Sequence, residues 1–283
     1  MDPMIVASIN WKLRPCTGFA DFSAHFKELA TKAKFRKADV IVFPENLTFE
    51  LLSGHSDLKP QEIPPFLAEF EDAFTGLLLE TSESTKATVI GGTHLVQRAG
   101  SSMNLAFTAY PDGRITSQPK INLTVFEREE FGLSCGSGVV PGEVATLVCY
   151  DVEFPQAARN LAESGTLVLC IPTFTQDRRG FQRVRWSAQA RSVENQIFVV
   201  ISSLVGSLAC EPVPTTYGTA AILTPSMEPF PEYAVLAETP EGVEGIAVAS
   251  LELDKLEECR NSGDVRNWHD RDQGNFQVLP ENS

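Results

Sequence analysis

Three residues of complementary chemistry, Glu45, Lys120 and Cys149, each stand where a short apolar run ends. Glu45 follows Ile41-Val42-Phe43-Pro44, Lys120 comes just after the run that starts at Ile115, and Cys149 closes Ala145-Thr146-Leu147-Val148. A thiol is a strong nucleophile once ionised, a carboxyl can take and return a proton, and an ammonium can meet developing negative charge. In α/β sheets, ligand sites gather at the carboxyl ends of the strands, so three such types at three strand ends make a candidate site. Position by itself leaves their ordinary uses open. A glutamate after a strand can be solvated or cap a helix, a lone cysteine in an apolar strand can be a small core residue, and Lys120 can be an edge-strand charge.

The elements that must place these residues follow a layered rhythm. Met4 to Ser8 has the pattern of a buried strand, Phe19 to Lys37 of a helix, and Asp39 to Phe43 of a second strand ended by Pro44. Apolar residues recur at helical spacing from Pro65 to Glu80, and Ala87 to Gly91 returns to strand. Leu105 to Tyr110 and Ile115 to Gln118 bracket Pro111-Asp112-Gly113, a turn signal that predicts an antiparallel hairpin and hence a mixed sheet. Val144 to Tyr150 predicts a strand and Phe154 to Glu163 a helix stopped near Gly165. A strand over Thr166 to Ile171, a helix over Gly180 to Asn195 and a strand over Ile197 to Ser202 come next. Apolar runs at Thr219 to Leu223 and Gly245 to Leu253 complete a core of about residues 4–253, and a polar C-terminal tail fills 254–283. No biased linker and no fixed-period repeat divides the chain, so a single domain over 1–283 is expected.

Composition narrows the function classes. Apolar residues make up 43% of the 283 and charged residues 21%, enough for a sizeable core. The net charge of −14 argues against a protein that tracks nucleic-acid phosphates. Six scattered cysteines (Cys16, Cys135, Cys149, Cys170, Cys210, Cys259) include no CxxC pair and no zinc-ligand spacing, so free thiols and no metal are expected. The start MDPMIVASIN lacks a basic segment followed by a long apolar one, and no long apolar run occurs elsewhere; a cytoplasmic protein without a membrane span is the expectation.

Local sequence sharpens the three-residue site. Phe43-Pro44-Glu45, Pro119-Lys120 and Cys149-Tyr150-Asp151-Val152-Glu153-Phe154-Pro155 resemble, in order and spacing, the three signature segments of the nitrilase (carbon-nitrogen hydrolase) superfamily. Arg191-Ser192-Val193-Glu194-Asn195-Gln196 is similar to a helix end that follows the cysteine in that family. The resemblance covers roughly residues 4–253. It implies an α/β fold of four layers, an α-β-β-α sandwich with mixed sheets, a Glu45-Lys120-Cys149 triad without a cofactor, and subunits paired through helices as a homodimer or larger assembly. Two positions depart from the family's pattern: Gln156 where a glutamate is common, and Asn122 where a histidine is frequent.

For such a triad, Cys149 is the nucleophile, Glu45 the general base, and Lys120 with the backbone N–H of Tyr150 the oxyanion donors. None of His25, His55, His94 and His269 lies in a papain-like histidine motif, which fits a carboxylate as base. A second carboxylate often assists the lysine in this family. Glu127 has the matching spacing, and Glu129 and Glu130 are preferred as solvated residues. Tyr150, Thr173 and Phe174 are candidate substrate-binding residues. Arg185 and Arg191 share a helix, with Arg191 spaced for an ion pair to Glu194. The expected substrate is a small carboxamide, cleaved through a thioester with release of ammonia. A nitrile, an N-carbamoyl amine, or a silent binding and assembly role are the alternatives.

Overall fold

Strand residues in this chain alternate between two different cores, and the alternation builds the architecture. The computed structural model describes residues 3–209 and 211–271. In order, its elements are β1 (Met4–Lys12), α1 (Phe19–Phe35), β2 (Val40–Val42), α2 (Ile63–Ala68), α3 (Glu71–Thr85), β3 (Thr88–Arg98), β4 (Ser101–Ala109), β5 (Ile115–Pro119) and α4 (Val125–Glu129). They continue with β6 (Val144–Thr146), α5 (Pro155–Glu163), β7 (Val168–Thr173), α6 (Arg178–Asn195), β8 (Phe198–Val205), β9 (Ala221–Leu223), β10 (Val235–Glu238), β11 (Gly245–Leu251), α7 (Leu253–Ser262) and α8 (Asn267–Asp270).

Along β1 and β2, Ala7, Ile9, Trp11, Ile41 and Phe43 join a core with Phe22, Phe26 and Leu29 of α1 and Phe74 and Leu78 of α3. Along β7 and β8, Leu169, Ile171, Val199 and Ile201 join a second core with Leu161 of α5 and Phe181 and Val184 of α6. The intervening positions, Val6, Val40, Val42, Val168, Cys170, Phe198 and Val200, meet one another in a third. Side chains on a strand point to opposite faces in turn, so three cores between these elements mean four layers: helix, sheet, sheet, helix.

The sheet is mixed. β1, β2 and β3 run parallel, while β4, β5 and β11 add antiparallel strands to that half. β6, β7 and β8 are parallel, and β9 and β10 are antiparallel. The halves meet where Asn10–Lys12 of β1 pair with Ser203–Val205 of β8. Buried hydroxyls stitch this seam, Ser8 to Ile201 O at 2.6 Å and Ser202 to Ile9 O at 2.7 Å.

Several boundaries differ from the sequence reading. The apolar spacing of residues 65–80 belongs to two helices, α2 and α3, because one periodicity runs through both and does not mark the turn at Glu69–Phe70. β3 and β4 form a long hairpin around Ala99 and Gly100, both at positive φ, in place of two separate short strands. The strand expected over Val144–Tyr150 stops at Thr146, and Cys149 opens a short 3-10 turn over Cys149–Glu153. The segment assigned to a polar tail begins as helix: Leu256, Cys259 and Arg260 of α7 are buried. Cys210 and residues 272–283 lie outside the described residues. No helix among the described residues is long and apolar enough to cross a membrane.

Candidate active site

Each of the three strand ends is held by a local device. After β2, the Phe43 N–H still donates to Ile90 O at 2.8 Å; then Asn46 turns through a left-handed conformation and its N–H reaches Thr93 Oγ1 at 3.0 Å. This bend presses the Pro44 carbonyl against Gly92, where an added Cβ would lie 1.9 Å from Pro44 O at a φ of +69°. Only glycine admits that approach, and it fixes the base of the Glu45 side chain. Lys120 directly follows β5, its backbone N–H donating to Asn104 O at 2.9 Å. Cys149 sits at φ 45°, a conformation that a non-glycine residue holds only when its surroundings impose it.

Two side chains impose it. Asp151 accepts N–H bonds from Val148 at 3.2 Å, Ile121 at 3.3 Å and Asn122 at 2.7 Å, tying the cysteine turn to the segment after Lys120. Arg191 on α6 donates to Val152 O at 2.9 Å and Glu153 O at 3.3 Å while paired with Glu194 at 2.8 Å. The Arg-x-x-Glu pair is therefore present, and its guanidinium also braces the turn.

Side chains from these segments converge on one cavity of about 300 Å³, lined among others by Glu45, Lys120, Glu127, Cys149, Tyr150 and Phe174. The Lys120 ammonium donates to Glu45 Oε1 at 2.7 Å and to both oxygens of Glu127 at 2.8 Å. Glu127 is placed by a capping box at the start of α4, its Oε2 accepting the Thr124 N–H at 2.9 Å. The other oxygen of Glu45 accepts the Phe174 N–H at 3.0 Å, and the Cys149 thiol lies 3.5 Å from Phe174 O.

Burial in this dry pocket shapes the electrostatics. It pushes the Glu45 carboxyl up, with Glu127 adding to the push and Lys120 pulling back, to about 7. Burial alone would depress Lys120, but Glu127 and Glu45 outweigh it and hold the ammonium well above its usual range. For Glu127 burial is likewise overcome, by Lys120 and Thr124, and the carboxyl is held below the usual range. The Cys149 thiol is pushed well above its ordinary value by burial and by Glu45, which outweigh the opposite pull of Lys120. A neutral thiol thus faces a carboxyl that exchanges its proton near neutral pH, beside a permanent cation.

The sequence matches the Carbon-nitrogen hydrolase family over residues 6–261. The chain belongs to that family. It is 32% identical over 275 residues to the Bacillus subtilis protein named Probable hydrolase YhcX, covering 95% of this chain and 54% of that protein. The chain thus spans about half the length of that relative. The crystal structure of Saccharomyces cerevisiae Nit3, a nitrilase-superfamily member, matches with a TM-score of 0.75 at 18% identity, over 93% of this chain and 95% of that one. An amidase from Nesterenkonia, solved as a glutamate-to-glutamine mutant with acrylamide added to its active-site cysteine, matches with a TM-score of 0.71 at 22% identity, over 94% and 99%. The mixed α/β sandwich is that of the nitrilase superfamily.

The structure brings together Glu45, Lys120, Cys149 and Glu127, with Tyr150 and Phe174 in the cavity wall. Thr173 is elsewhere: fully buried in β7, its hydroxyl bonds Ser202 O at 3.0 Å and Ser203 Oγ at 2.9 Å. Its expected place in the cleft is corrected, because the strand's alternation turns it into the sheet. Glu129 and Glu130 are exposed, as is Gln156, and Asn122 directs its side-chain N–H to Asp151 at 3.1 Å. Arg185 pairs with Glu238 and does not line the cavity, whereas Arg183 does, 3.7 Å from Glu153. Asn104 and Asp151 were missed by the sequence reading. No group of metal-ligating side chains occurs among the described residues.

Proposed function

We propose that this carbon-nitrogen hydrolase is an amidase that cleaves a small carboxamide through a thioester on Cys149. As sulfur attacks the carbonyl carbon, Glu45 takes the thiol proton, and the carbonyl oxygen gains a negative charge met by Lys120 Nζ and the Tyr150 N–H. The tetrahedral centre collapses, Glu45 gives its proton to the departing nitrogen, and ammonia leaves the acyl group on sulfur. Water then attacks the thioester while Glu45 takes its proton. A second collapse releases the acid and returns the proton to sulfur.

The observation that carries this reading is the convergence of Glu45, Lys120 and Cys149 on one cavity, with the Lys120 ammonium bonded to the Glu45 carboxyl and burial pushing that carboxyl up, to about 7. A base must be ionised to act and must hold a proton long enough to return it, so affinity near working pH suits one group to both tasks. Phe126, Phe131, Phe174 and Val184 give the cavity apolar walls suited to a short acyl chain. A relative named Omega-amidase, chloroplastic, from Arabidopsis thaliana, 25% identical over 84% of this chain and 65% of that protein, supports an amide substrate. The same reading extends to one catalytic domain acting in the cytoplasm and to two-fold pairing of subunits. Trp186, on the solvent side of α6 and 68% exposed, supports pairing, and sedimentation at micromolar concentration tests it.

The test of the reaction is ammonia release over a panel of small amides, nitriles and N-carbamoyl amines, with Cys149→Ala as blank and mass spectrometry for an acyl adduct on Cys149. Amide turnover with a Cys149 adduct is the expected result. Absence of both turnover and adduct across the panel would return the silent binding role.

A further inference from the structure

Asn104 is a buried residue of β4 that contacts both carboxylates of the site and the backbone of Lys120. Its backbone carbonyl accepts the Lys120 N–H at 2.9 Å. Its side-chain nitrogen lies 3.1 Å from Glu45 Oε1 and 3.2 Å from Glu127 Oε1. Those are the two oxygens that the Lys120 ammonium also contacts, at 2.7 and 2.8 Å. Two nitrogens, one charged and one neutral, therefore bridge the same pair of carboxylate oxygens.

The amide orientation follows from this. Reversed, its oxygen would face two carboxylate oxygens, acceptor against acceptor; as it stands, each N–H of one NH₂ group serves one carboxylate. The cost falls on Asn104 Oδ1, which is buried without a hydrogen-bond partner. A residue that only filled the sheet would be cheaper as an apolar side chain, since no protein group among the described residues satisfies that oxygen.

We propose that Asn104 is a positioning residue that sets the proton affinity of Glu45, its shared amide holding the two carboxylates on either side of Lys120 and favouring the ionised form of the base. The inference rests on the reading of Glu45 as general base. Among the described residues, the titratable and hydrogen-bonding groups at Glu45 are Lys120 after β5, Glu127 from α4, Cys149 from the turn after β6, the Phe174 N–H after β7, and Asn104 from β4. Of these, burial and Glu127 push the carboxyl up, and Lys120 divides its charge between two carboxylates. Asn104 adds a donor that loses its bond strength when Glu45 takes a proton, so it helps the base give the proton on.

The experiment compares wild type with Asn104→Leu, close in shape but without a donor, and Asn104→Ser, which keeps one donor. Ammonia release is measured as kcat/KM against pH, with urea denaturation to verify folding. Losing a bond to the charged form raises the affinity for a proton, so the acidic limb of the Leu variant should move up by about one pH unit. Its rate should fall roughly tenfold below the limb and recover at alkaline pH, with the Ser variant between. An unmoved limb, or a loss uniform across pH, in a folded variant overturns the proposal.

The native enzyme gives a second reading that needs no variant. In protein labelled with ¹⁵N-asparagine, the Asn104 side-chain N–H signals should shift with the midpoint of the acidic limb, and signals that ignore pH overturn the proposal as surely. Failure of the underlying reading looks different, because the wild-type limb would then survive in Glu45→Gln.

Discussion

Replacing Lys120 with methionine isolates what the buried cation does for the fold. The side chain keeps its length and apolar stem, but Glu45 and Glu127, 1% and 6% exposed, lose the ammonium that lies 2.7 to 2.8 Å from them. Two carboxylates then share a dry pocket with only the Asn104, Phe174 and Thr124 donors. Removing one partner of a buried ion pair costs about 3–5 kcal/mol, equivalent to a fall in Tm of roughly 10 °C for a chain of this size.

The sign with pH is the sharper part. In wild type the Glu45 carboxyl, raised to about 7 from 4.5, makes the folded state bind more protons than the unfolded one between those values, so stability falls as pH rises through them. Glu127, held below its ordinary value by Lys120, does the opposite: its contribution is present above the unfolded value and is lost as pH falls through the folded one. Without the cation both carboxyls move upward, and the stabilising slope of Glu127 reverses. Urea denaturation at several pH values should therefore show the gap between wild type and Lys120→Met widening with pH, by up to about 1.4 kcal/mol per unit for each carboxyl affected. Lys120→Met combined with Glu127→Gln should recover about half of the loss at alkaline pH. A gap that is constant with pH, or below about 1 kcal/mol at alkaline pH, would refute the view of Lys120 as the counter-charge to both carboxylates.

Three other outcomes follow from the same geometry. Cys149→Ala should lower turnover by more than about 10³-fold with urea stability preserved, and substantial turnover in the folded variant would remove Cys149 as nucleophile. Glu45→Gln should slow acylation and deacylation alike, by roughly 10²–10⁴-fold, and abolish the acidic limb near 7; pre-steady-state kinetics separates the two steps, and an untouched acylation rate would shift the base to another group. Gly92→Ala should cost about 2 kcal/mol and reduce kcat, because a methyl group at a φ of +69° meets the Pro44 carbonyl that positions Glu45; unchanged kinetics in that variant would show the contact to be dispensable.

The sequence carried the layered fold well where elements were long and strongly patterned. α1, α5 and α6 lie close to their expected spans, because helical spacing with a Gly or polar stop leaves little choice. It misplaced boundaries decided by side chains from elsewhere in the chain. Leu147 and Val148 continue an apolar strand pattern, yet Asp151 captures the Val148 N–H and the chain turns. Glu127 was separable from its acidic neighbours by a local signal, the Thr124-x-x-Glu127 capping box that fixes its side chain. Asn104 had no such mark. An asparagine amid Met103, Leu105 and Ala106 is one polar residue in a strand until its partners after β2, after β5 and in α4 are known. Thr173 failed for the opposite reason: proximity to the site along the chain says nothing about which face of β7 its side chain takes.

The seam between β1 and β8 has a consequence for when the cavity is assembled. Glu45, Lys120 and Glu127 belong to one half of the sheet, Cys149 and Phe174 to the other, and the last strand, β11, returns to pair with the first. Until β11 has been synthesised, the first half of the sheet lacks the strand that pairs with β1. Pairings of such long sequence separation form late in folding. The cavity that brings Cys149 beside Glu45 and Lys120 therefore exists only once the two halves have closed.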